Sequence, residues 1–475
     1  MLLQQGNLDA GRPVKRIHAV NELRPVLGPW ALLCLGVGAI IGAGIFIIPG
    51  PAAAQFAGPA IVFSFVIAAV GCGLSGLCYA ELASMYPLAG SAYSYTSRAF
   101  GRLAGWVVGW LLILEYLFAA AIVTQGFASY AIGLLPIANS ESHHVLISML
   151  LSLTVVLVVT YLAVRGVEFS ARVNSVIVVT KVTVILAVIF FGIRYVNPQH
   201  WSPFLPPNSG RWGEYGWSGV VRAAGIVFYA YLGFDIVSVS AQEARRPQRD
   251  VPLALLGSLV VCTLLFVPMM LVVTGLVDYH RLNVANPVAV ALESAGGDLS
   301  WLVPVVRSGA MISMVSVLLV ILMGQARIVY AMARDGLLPD ALARLHTQWK
   351  TPAIATFAGA SIATGLTVTI PISLLGQLVS VGVLSAFVAV ALGVLVLRRR
   401  LPSAPRPFRT PLVPWVPLGA ILVCGYMAIG LPALTWLRLG IWLLLGAIIY
   451  IAYGRHHYSA QAPLDAVEHL RTDAR

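Results

Sequence analysis

Residues Gly36 to Gly50 read GVGAIIGAGIFIIPG and lie inside an apolar run that extends from Pro29 to Ala54. This run is long enough to cross a bilayer as a helix, which takes about 20 residues. Its centre, however, consists of glycine and alanine, and a proline follows. Non-helical backbone survives at membrane depth only where it is buried in protein or lines a cavity. We therefore expect a broken helix beside a cavity, although a glycine-rich face for packing against another helix explains the same residues.

Such a break would expose backbone groups that suit both charges of an amino acid. The N–H groups near Ala43 and Gly44, where the second half-helix starts, suit a carboxylate. The carbonyl groups near Ile40 and Ile41, where the first half-helix ends, suit an ammonium group. Gly42 and Gly44 lack side chains, so that a ligand can touch the backbone itself.

The composition is that of an integral membrane protein with many helices. The 475 residues are 59% hydrophobic before glycine is counted, and only 10% are charged. Soluble globular proteins are about 45 to 50% apolar with glycine included and about 25% charged. The five cysteines all lie in apolar stretches, which favours small buried side chains over disulfides or metal ligands. We expect no metal site and no catalytic residues.

Twelve apolar segments follow one another along the chain. They cover residues 29–54, 59–80, 103–135, 144–163, 172–194, 218–241, 253–277, 302–332, 352–370, 372–397, 412–432 and 435–454. If the N-terminus is cytoplasmic, 23 of the 30 Lys and Arg residues lie on the cytoplasmic side and six on the other. This asymmetry predicts that both termini are cytoplasmic. It also accounts for the net charge of +12 without a nucleic-acid partner.

Segment six carries a second interruption, in which residues 227–235 read VFYAYLGFD. The interrupted segments are the first and the sixth, so they cross the membrane in opposite directions. Matching interruptions in two halves predict an inverted repeat with a binding site near the midplane. We expect a cytoplasmic N-terminal tail (1–28), two repeats of five helices (29–197 and 198–400), two further helices (401–456) and a cytoplasmic C-terminal tail (457–475).

Three charged residues lie at membrane depth, where charges usually face a cavity or a partner. Lys181 is nine residues from Arg172 and thirteen from Arg194, too far from either interface for its side chain to reach water. Glu115 is likewise far from both ends of its segment. We expect functional roles for Lys181 and Glu115. Asp235, just past the second interruption, fits a helix-bracing role as well as a ligand contact.

Several motifs resemble the amino acid–polyamine–organocation (APC) superfamily. Residues 38–46 (GAIIGAGIF) resemble its first-helix signature, and residues 79–82 (YAEL) and 90–95 (GSAYSY) resemble its second. Residues 228–235, 242–252 (QEARRPQRDVP) and 324–339 (GQARIVYAMARDGLLP) are similar to its cationic amino acid transporter branch. The resemblance is to a bacterial member and covers nearly the whole chain.

The resemblance implies an all-α integral membrane protein with 12 transmembrane helices, a 5+5 inverted repeat and discontinuous helices 1 and 6. It also implies import of L-α-amino acids. In bacterial members the substrate carboxylate is held at positions matching Ala43 and Gly44. The amine meets carbonyls matching Ile40, Tyr229 and Leu232. Relatives often carry Thr or Ser at the position of Ala43, so a hydroxyl contact to the carboxylate is absent here.

The remaining residues of the expected site come from the second interruption and from helices 3, 5 and 8. Ala230 and Tyr231 lie within the second interruption, and Glu115 would shape the pocket from helix 3. Lys181 matches a helix 5 lysine that occupies the sodium position of sodium-coupled relatives, which points to the proton as the coupling ion and to no other cofactor. We expect Lys181 to be the coupling group, together with Ser316 of helix 8 and Asp235. A bond from Ser316 to its own backbone is the alternative for that residue.

The main hypothesis is therefore a proton symporter for amino acids in the plasma or bacterial inner membrane, with the lipid bilayer around it. An amino acid exchanger or polyamine carrier is an alternative within transport, and a non-transporting membrane nutrient sensor is one outside it. An enzyme is not expected, because no cluster of acidic residues, His or a nucleophile lies at an interface. A small membrane accessory subunit is a further possible partner.

Overall fold

The computed structural model describes residues 27–86, 90–135, 141–166, 171–235, 237 and 244–457. Within these ranges the chain is helical, and its one strand-like pairing is an isolated bridge between Leu27 and Ala244. The α-helices are α1 (Pro29–Ile40), α2 (Ala43–Phe46), α3 (Pro49–Ala52), α4 (Ile61–Met85), α5 (Ser91–Phe100), α6 (Arg102–Ile132), α7 (Glu141–Val164), α8 (Ala171–Gly192), α9 (Gly216–Val227), α10 (Pro247–Leu276), α11 (Pro287–Ala295), α12 (Leu302–Arg334), α13 (Ala353–Thr369), α14 (Ile372–Arg400), α15 (Trp415–Ile429), α16 (Ala433–Ile449) and α17 (Arg455–His457).

The first apolar segment is a broken helix. α1 ends at Ile40, the backbone of Ile41 and Gly42 is non-helical, and α2 begins at Ala43. Pro49 then starts α3, and a π-helical turn and a 3₁₀ turn lead into α4. The interruption thus falls inside the glycine-rich stretch, with its non-helical residues at positions 41 and 42.

The second interruption follows α9, which continues as a 3₁₀ turn over Phe228–Tyr231 and then unwinds. Gly233 has a φ of +107°, and a Cβ atom added there would lie 2.9 Å from the carbonyl oxygen of Ala39. Only glycine combines this backbone conformation with so close an approach. The two interruptions therefore pack against each other.

α6 is the central helix of the bundle. It is apolar on all sides and almost entirely buried, as a helix surrounded by neighbours must be. It packs against α12, α13 and α14. α8 is more exposed and packs against α1, α10 and α12. This arrangement places Lys181, on α8, beside the first broken helix.

α16 runs along α6 and is fastened to it by two tryptophans. The rings of Trp110 and Trp442 are stacked, with their centroids 4.7 Å apart. Each indole N–H donates to the backbone carbonyl of the other residue, at 2.8 and 3.0 Å. Both indole N–H groups therefore have an acceptor. This suits a contact inside a membrane, where no water is present to accept these hydrogen bonds.

A buried carboxylate organises the end of the bundle where α4 and α14 terminate. Glu81, on α4, accepts hydrogen bonds from Arg398 at 3.0 and 2.7 Å and from the backbone N–H of Thr410 at 2.7 Å. Arg406 adds an ion pair at 3.3 Å. Because these partners lie on both sides of the turn after α14, Glu81 ties that turn to α4.

Nine helices in the described ranges are long and apolar enough to cross a membrane. α13 and α15 are apolar but shorter, with 17 and 15 residues. Residues 236 and 238–243, at the end of the sixth apolar segment and after it, lie outside the described residues. The chain is therefore an all-helical, multi-pass membrane protein, and the number of twelve crossings stays a prediction.

Candidate functional site

Both helix interruptions open onto one cavity. It is lined by Ala39, Ile40, Gly42, Ala43, Gly44, Glu115, Tyr116, Tyr229, Leu232, Gly233, Asp235, Val317, Val320 and Ile321. Seven of the ten residues predicted to bind substrate are among them. Where the first broken helix forms the wall, four of its five lining residues are glycine or alanine, so that backbone groups face the cavity.

The other three predicted substrate-binding residues lie behind the wall. The carbonyl oxygen of Ile41 points towards α8 and α12, as described below. Ala230 packs against Gly44, where an added Cβ would overlap the Cα atom of Ala230. The hydroxyl of Tyr231 donates to the carbonyl of Phe65 at 3.2 Å, away from the cavity.

Lys181 is buried against the first interruption. Its ammonium donates to the carbonyl oxygens of Gly38, at 2.7 Å, and Ile41, at 2.9 Å. Gly38 lies in the last turn of α1 and Ile41 directly follows it, where the interruption leaves the carbonyls without a helical partner. Lys181 does not line the cavity but contacts the broken helix that forms part of the cavity wall.

A serine of α12 also contacts the first interruption, but it is not the predicted one. Ser313 donates through its hydroxyl to the carbonyl of Ile41 at 2.9 Å. The hydroxyl of Ser316 donates to the carbonyl of Ser313, in its own helix, at 3.0 Å. The two serines are three residues apart and therefore share one face of the helix. The sequence analysis therefore selected the correct face of α12, but a serine about one helical turn from the one that contacts Ile41.

Two carboxylates face the cavity. Glu115, on α6, and Asp235, just after the second interruption, are both buried and both line it. The cavity thus combines backbone N–H and C=O groups with two acidic side chains. This combination suits a small polar ligand that carries hydrogen-bond donors.

α12 supplies an apolar wall that the sequence analysis did not identify. Val317, Val320 and Ile321 line the cavity at positions spaced by three and four residues, so they lie on one face of the helix. Tyr116 of α6 completes this side, and its ring rests on Gly324, where an added Cβ would lie 2.7 Å from the ring. Nothing in an apolar helix of this kind marks one face as facing a ligand rather than lipid or another helix.

At the end of the bundle opposite Glu81, several contacts join the second half of the broken helix and the following residues to their neighbours. Tyr130 of α6 donates to the carbonyl of Phe46, in the second half of the broken helix, at 2.7 Å. α11 packs on Gly50 through its first residue and is held to α12 by an ion pair between Glu293 and Arg307.

The model of a family described as amino acid permease matches residues 27–453. The chain belongs to this family. It is 38% identical over 459 residues to a methylthioribose transporter of Bacillus subtilis (strain 168), a match covering 94% of this chain and 97% of that protein. It is 39% identical to the branched-chain amino acid permease BcaP of the same organism, which covers 92% of this chain and 94% of that protein. Cationic amino acid transporter 4, vacuolar, of Arabidopsis thaliana is 29% identical, with 94% of this chain and 95% of that protein covered.

These matches confirm the resemblance to the APC superfamily and to its cationic amino acid transporter branch. The family is one of permeases, and the relatives are named transporters and not enzymes. The protein is therefore a membrane protein of the amino acid permease family and not an enzyme.

Proposed function

We propose that the protein imports L-α-amino acids across the bacterial inner membrane by proton symport with alternating access. The cavity at the two interruptions is the binding site in this proposal. The N–H groups of Ala43 and Gly44 receive the substrate carboxylate, and the carbonyls of Ile40, Tyr229 and Leu232 receive its ammonium. The carbonyl of Ile41 is left out, because Lys181 and Ser313 already donate to it.

The observation that carries the coupling proposal is the pair of hydrogen bonds from Lys181 to Gly38 and Ile41. A protonated Lys181 braces the interruption in its substrate-ready geometry. Loss of the proton on the cytoplasmic side removes the positive charge that strengthens these two bonds and so loosens the broken helix. Substrate release and proton release are then linked.

Proteoliposomes with an imposed pH gradient test this link. Lys181→Met keeps an apolar side chain of similar length and removes the proton-binding group. We expect the variant to lose accumulation of substrate against its gradient while exchange across the membrane can persist. If the Met variant still concentrates substrate, the lysine is structural and coupling lies elsewhere. If the wild type exchanges substrate but ignores the pH gradient, the protein is an exchanger.

The apolar wall supports a neutral, branched substrate. Val317, Val320 and Ile321 provide a surface for an aliphatic side chain, and a relative is named a branched-chain amino acid permease. The acidic groups Glu115 and Asp235 support a second candidate, a sugar thioether such as the methylthioribose named for another relative, whose hydroxyls would donate to these carboxylates.

A thermal-shift screen on purified protein separates these candidates. Ligands that bind the folded state raise the unfolding temperature by mass action. The panel contains the twenty amino acids, methylthioribose and polyamines. A shift with leucine, isoleucine or valine supports the first candidate, and a shift with methylthioribose alone supports the second. Shifts confined to polyamines would contradict both.

The arrangement of the helices supports two halves of opposite orientation, residues 29–197 and 198–400. The interrupted helices begin each half, and the third helix of each half is the long one, with 31 residues in α6 and 33 in α12. In this proposal twelve helices cross the membrane and both termini are cytoplasmic. The end of the bundle that holds Glu81 then faces the cytoplasm.

A further inference from the structure

Basic residues from separate parts of the chain meet at one edge of the bundle, at the end that holds Glu81. Arg400, the last residue of α14, donates to the carbonyl of Ala99 at 3.0 Å. Arg102, the first residue of α6, donates to the carbonyl of Gly454 at 2.7 Å, and Arg455 follows directly. Because Ala99 and Arg102 are three residues apart, they are separated by at most about 11 Å. Arg400, Arg102 and Arg455 therefore lie along one edge of the bundle.

The charge at this edge is not neutralised by the described part of the protein. Residues 398–409 contain five arginines and no acidic residue. Glu81 pairs with Arg398 and Arg406. Arg399, Arg400 and Arg455 are exposed, and among the described residues no carboxylate lies within ion-pair distance of any of them.

Apolar side chains are exposed directly beside these arginines. Phe100 and Leu103 flank the Ala99–Arg102 turn and are 37% and 59% exposed, and Leu401, which follows Arg400, is 45% exposed. On a membrane protein such residues face hydrocarbon, and arginines next to them lie at the level of the lipid headgroups. A soluble anion would interact with the arginines but would make no contact with the exposed apolar side chains.

We propose that this edge binds an anionic phospholipid, with Arg400 and Arg455 attracting its phosphate headgroup and an acyl chain along Phe100 and Leu103. Arg399 adds to the attraction. Guanidinium groups suit phosphate because they offer several N–H donors in one plane. Clusters of basic residues at the membrane surface next to a membrane helix are typical of anionic-lipid binding. The site is separate from the cavity, and the proposal does not depend on the transported substrate.

The test uses the full-length protein in neutral detergent, titrated with phosphatidylglycerol or phosphatidylcholine and followed by native mass spectrometry and by unfolding temperature. Arg400→Gln/Arg455→Gln is the site variant. Arg344→Gln/Lys350→Gln is the matched control, because it removes two exposed charges from the same end of the bundle. One basic residue near an anionic lipid surface contributes about a fivefold gain in affinity. We therefore expect phosphatidylglycerol to bind the site variant about 30-fold more weakly, with the control unchanged.

Arg400→Lys/Arg455→Lys keeps both charges and separates lipid binding from a structural role of the arginines. We expect it to retain most of the phosphatidylglycerol binding. Equal losses of phosphatidylglycerol binding in the Gln and Lys variants would overturn the proposal. They would show that Arg400 acts through its hydrogen bond to Ala99 and not through its charge. Equal binding of phosphatidylcholine and phosphatidylglycerol by the wild type would also overturn it. The proposal would also be overturned if inorganic phosphate alone raised the unfolding temperature as much as phosphatidylglycerol does. That result would make the edge a site for a soluble anion.

Discussion

Lys181 and Ser313 donate hydrogen bonds to the same atom, the carbonyl oxygen of Ile41, at 2.9 Å each. The two donors come from different helices, α8 and α12. The oxygen belongs to the interruption of the first helix, so two neighbours hold this interruption through one acceptor. One of these hydrogen bonds comes from a neutral hydroxyl, and the other comes from an amine that can lose its charge.

Removing the Ser313 hydroxyl should weaken this hold. We expect Ser313→Ala to lower the free energy of unfolding by about 1 kcal/mol, the usual value of one hydrogen bond, and to reduce substrate binding. Ser316→Ala is the matched control, since its hydroxyl bonds only within its own helix, and we expect a change below about 0.5 kcal/mol. Thermal unfolding and substrate titration measure both effects. Equal effects of the two substitutions would contradict a special role for Ser313.

A methyl group at position 44 should separate the two broken helices. An added Cβ at Gly44 would overlap Ala230, whereas an added Cβ at Gly73 would meet nothing within 4 Å. We expect Gly44→Ala to abolish substrate binding. Gly73→Ala should preserve binding and, because alanine is the better helix residue, raise stability by about 0.5 to 1 kcal/mol. Thermal shift with substrate reports both. Normal binding by a folded Gly44→Ala protein would show that the site assignment is wrong.

Glu115→Gln tests the acidic side chain in the cavity, because it keeps the size and hydrogen-bonding capacity of the residue while removing its charge. We expect the variant to change its preference between cationic and neutral substrates or its dependence of uptake on pH. Uptake is measured in proteoliposomes over a pH series. If neither property changes, Glu115 has only a packing role.

The buried carboxylate of Glu81 should matter for stability and not for substrate choice. Removing one partner of a buried ion pair leaves the other charge uncompensated, so we expect Glu81→Gln to cost about 3 kcal/mol. Glu214→Gln is the control, since its ion pair with Arg211 is 3.8 Å long and exposed, and such pairs contribute about 0 to 1 kcal/mol. Thermal unfolding in detergent compares the two variants. Similar unfolding temperatures would mean that Thr410 and the arginines find other partners.

The sequence predicted the features of this molecule that depend on local composition. The apolar segments, the interruption near Gly42 and the depth of Lys181 follow from the number of apolar residues and from the cost of a charge or a broken helix in lipid. These properties need no knowledge of the neighbouring helices. The motif resemblance added the family.

The details that were missed depend on how helices rotate against one another. Ser316 was expected at the interruption, and Ser313 is the residue that reaches it, because the rotation of α12 about its own axis is set by packing. For the same reason Val317 was not identified as a cavity residue. Tyr231 lies in the second interruption but turns towards α4, and no local property of the sequence distinguishes it from Tyr229.

The pairing of Glu81 with residues after α14 also constrains the order in which the protein is made. Glu81 precedes Arg398 by 317 residues. At about 5 to 20 residues per second, synthesis takes about 15 to 60 s to cover that interval. During this time α4 is complete but its carboxylate lacks the partners that the finished protein provides. The end of the bundle that holds Glu81 can therefore close only after residue 398 has been made, and nascent chains that stop before this residue should be recognised as incomplete by membrane proteases.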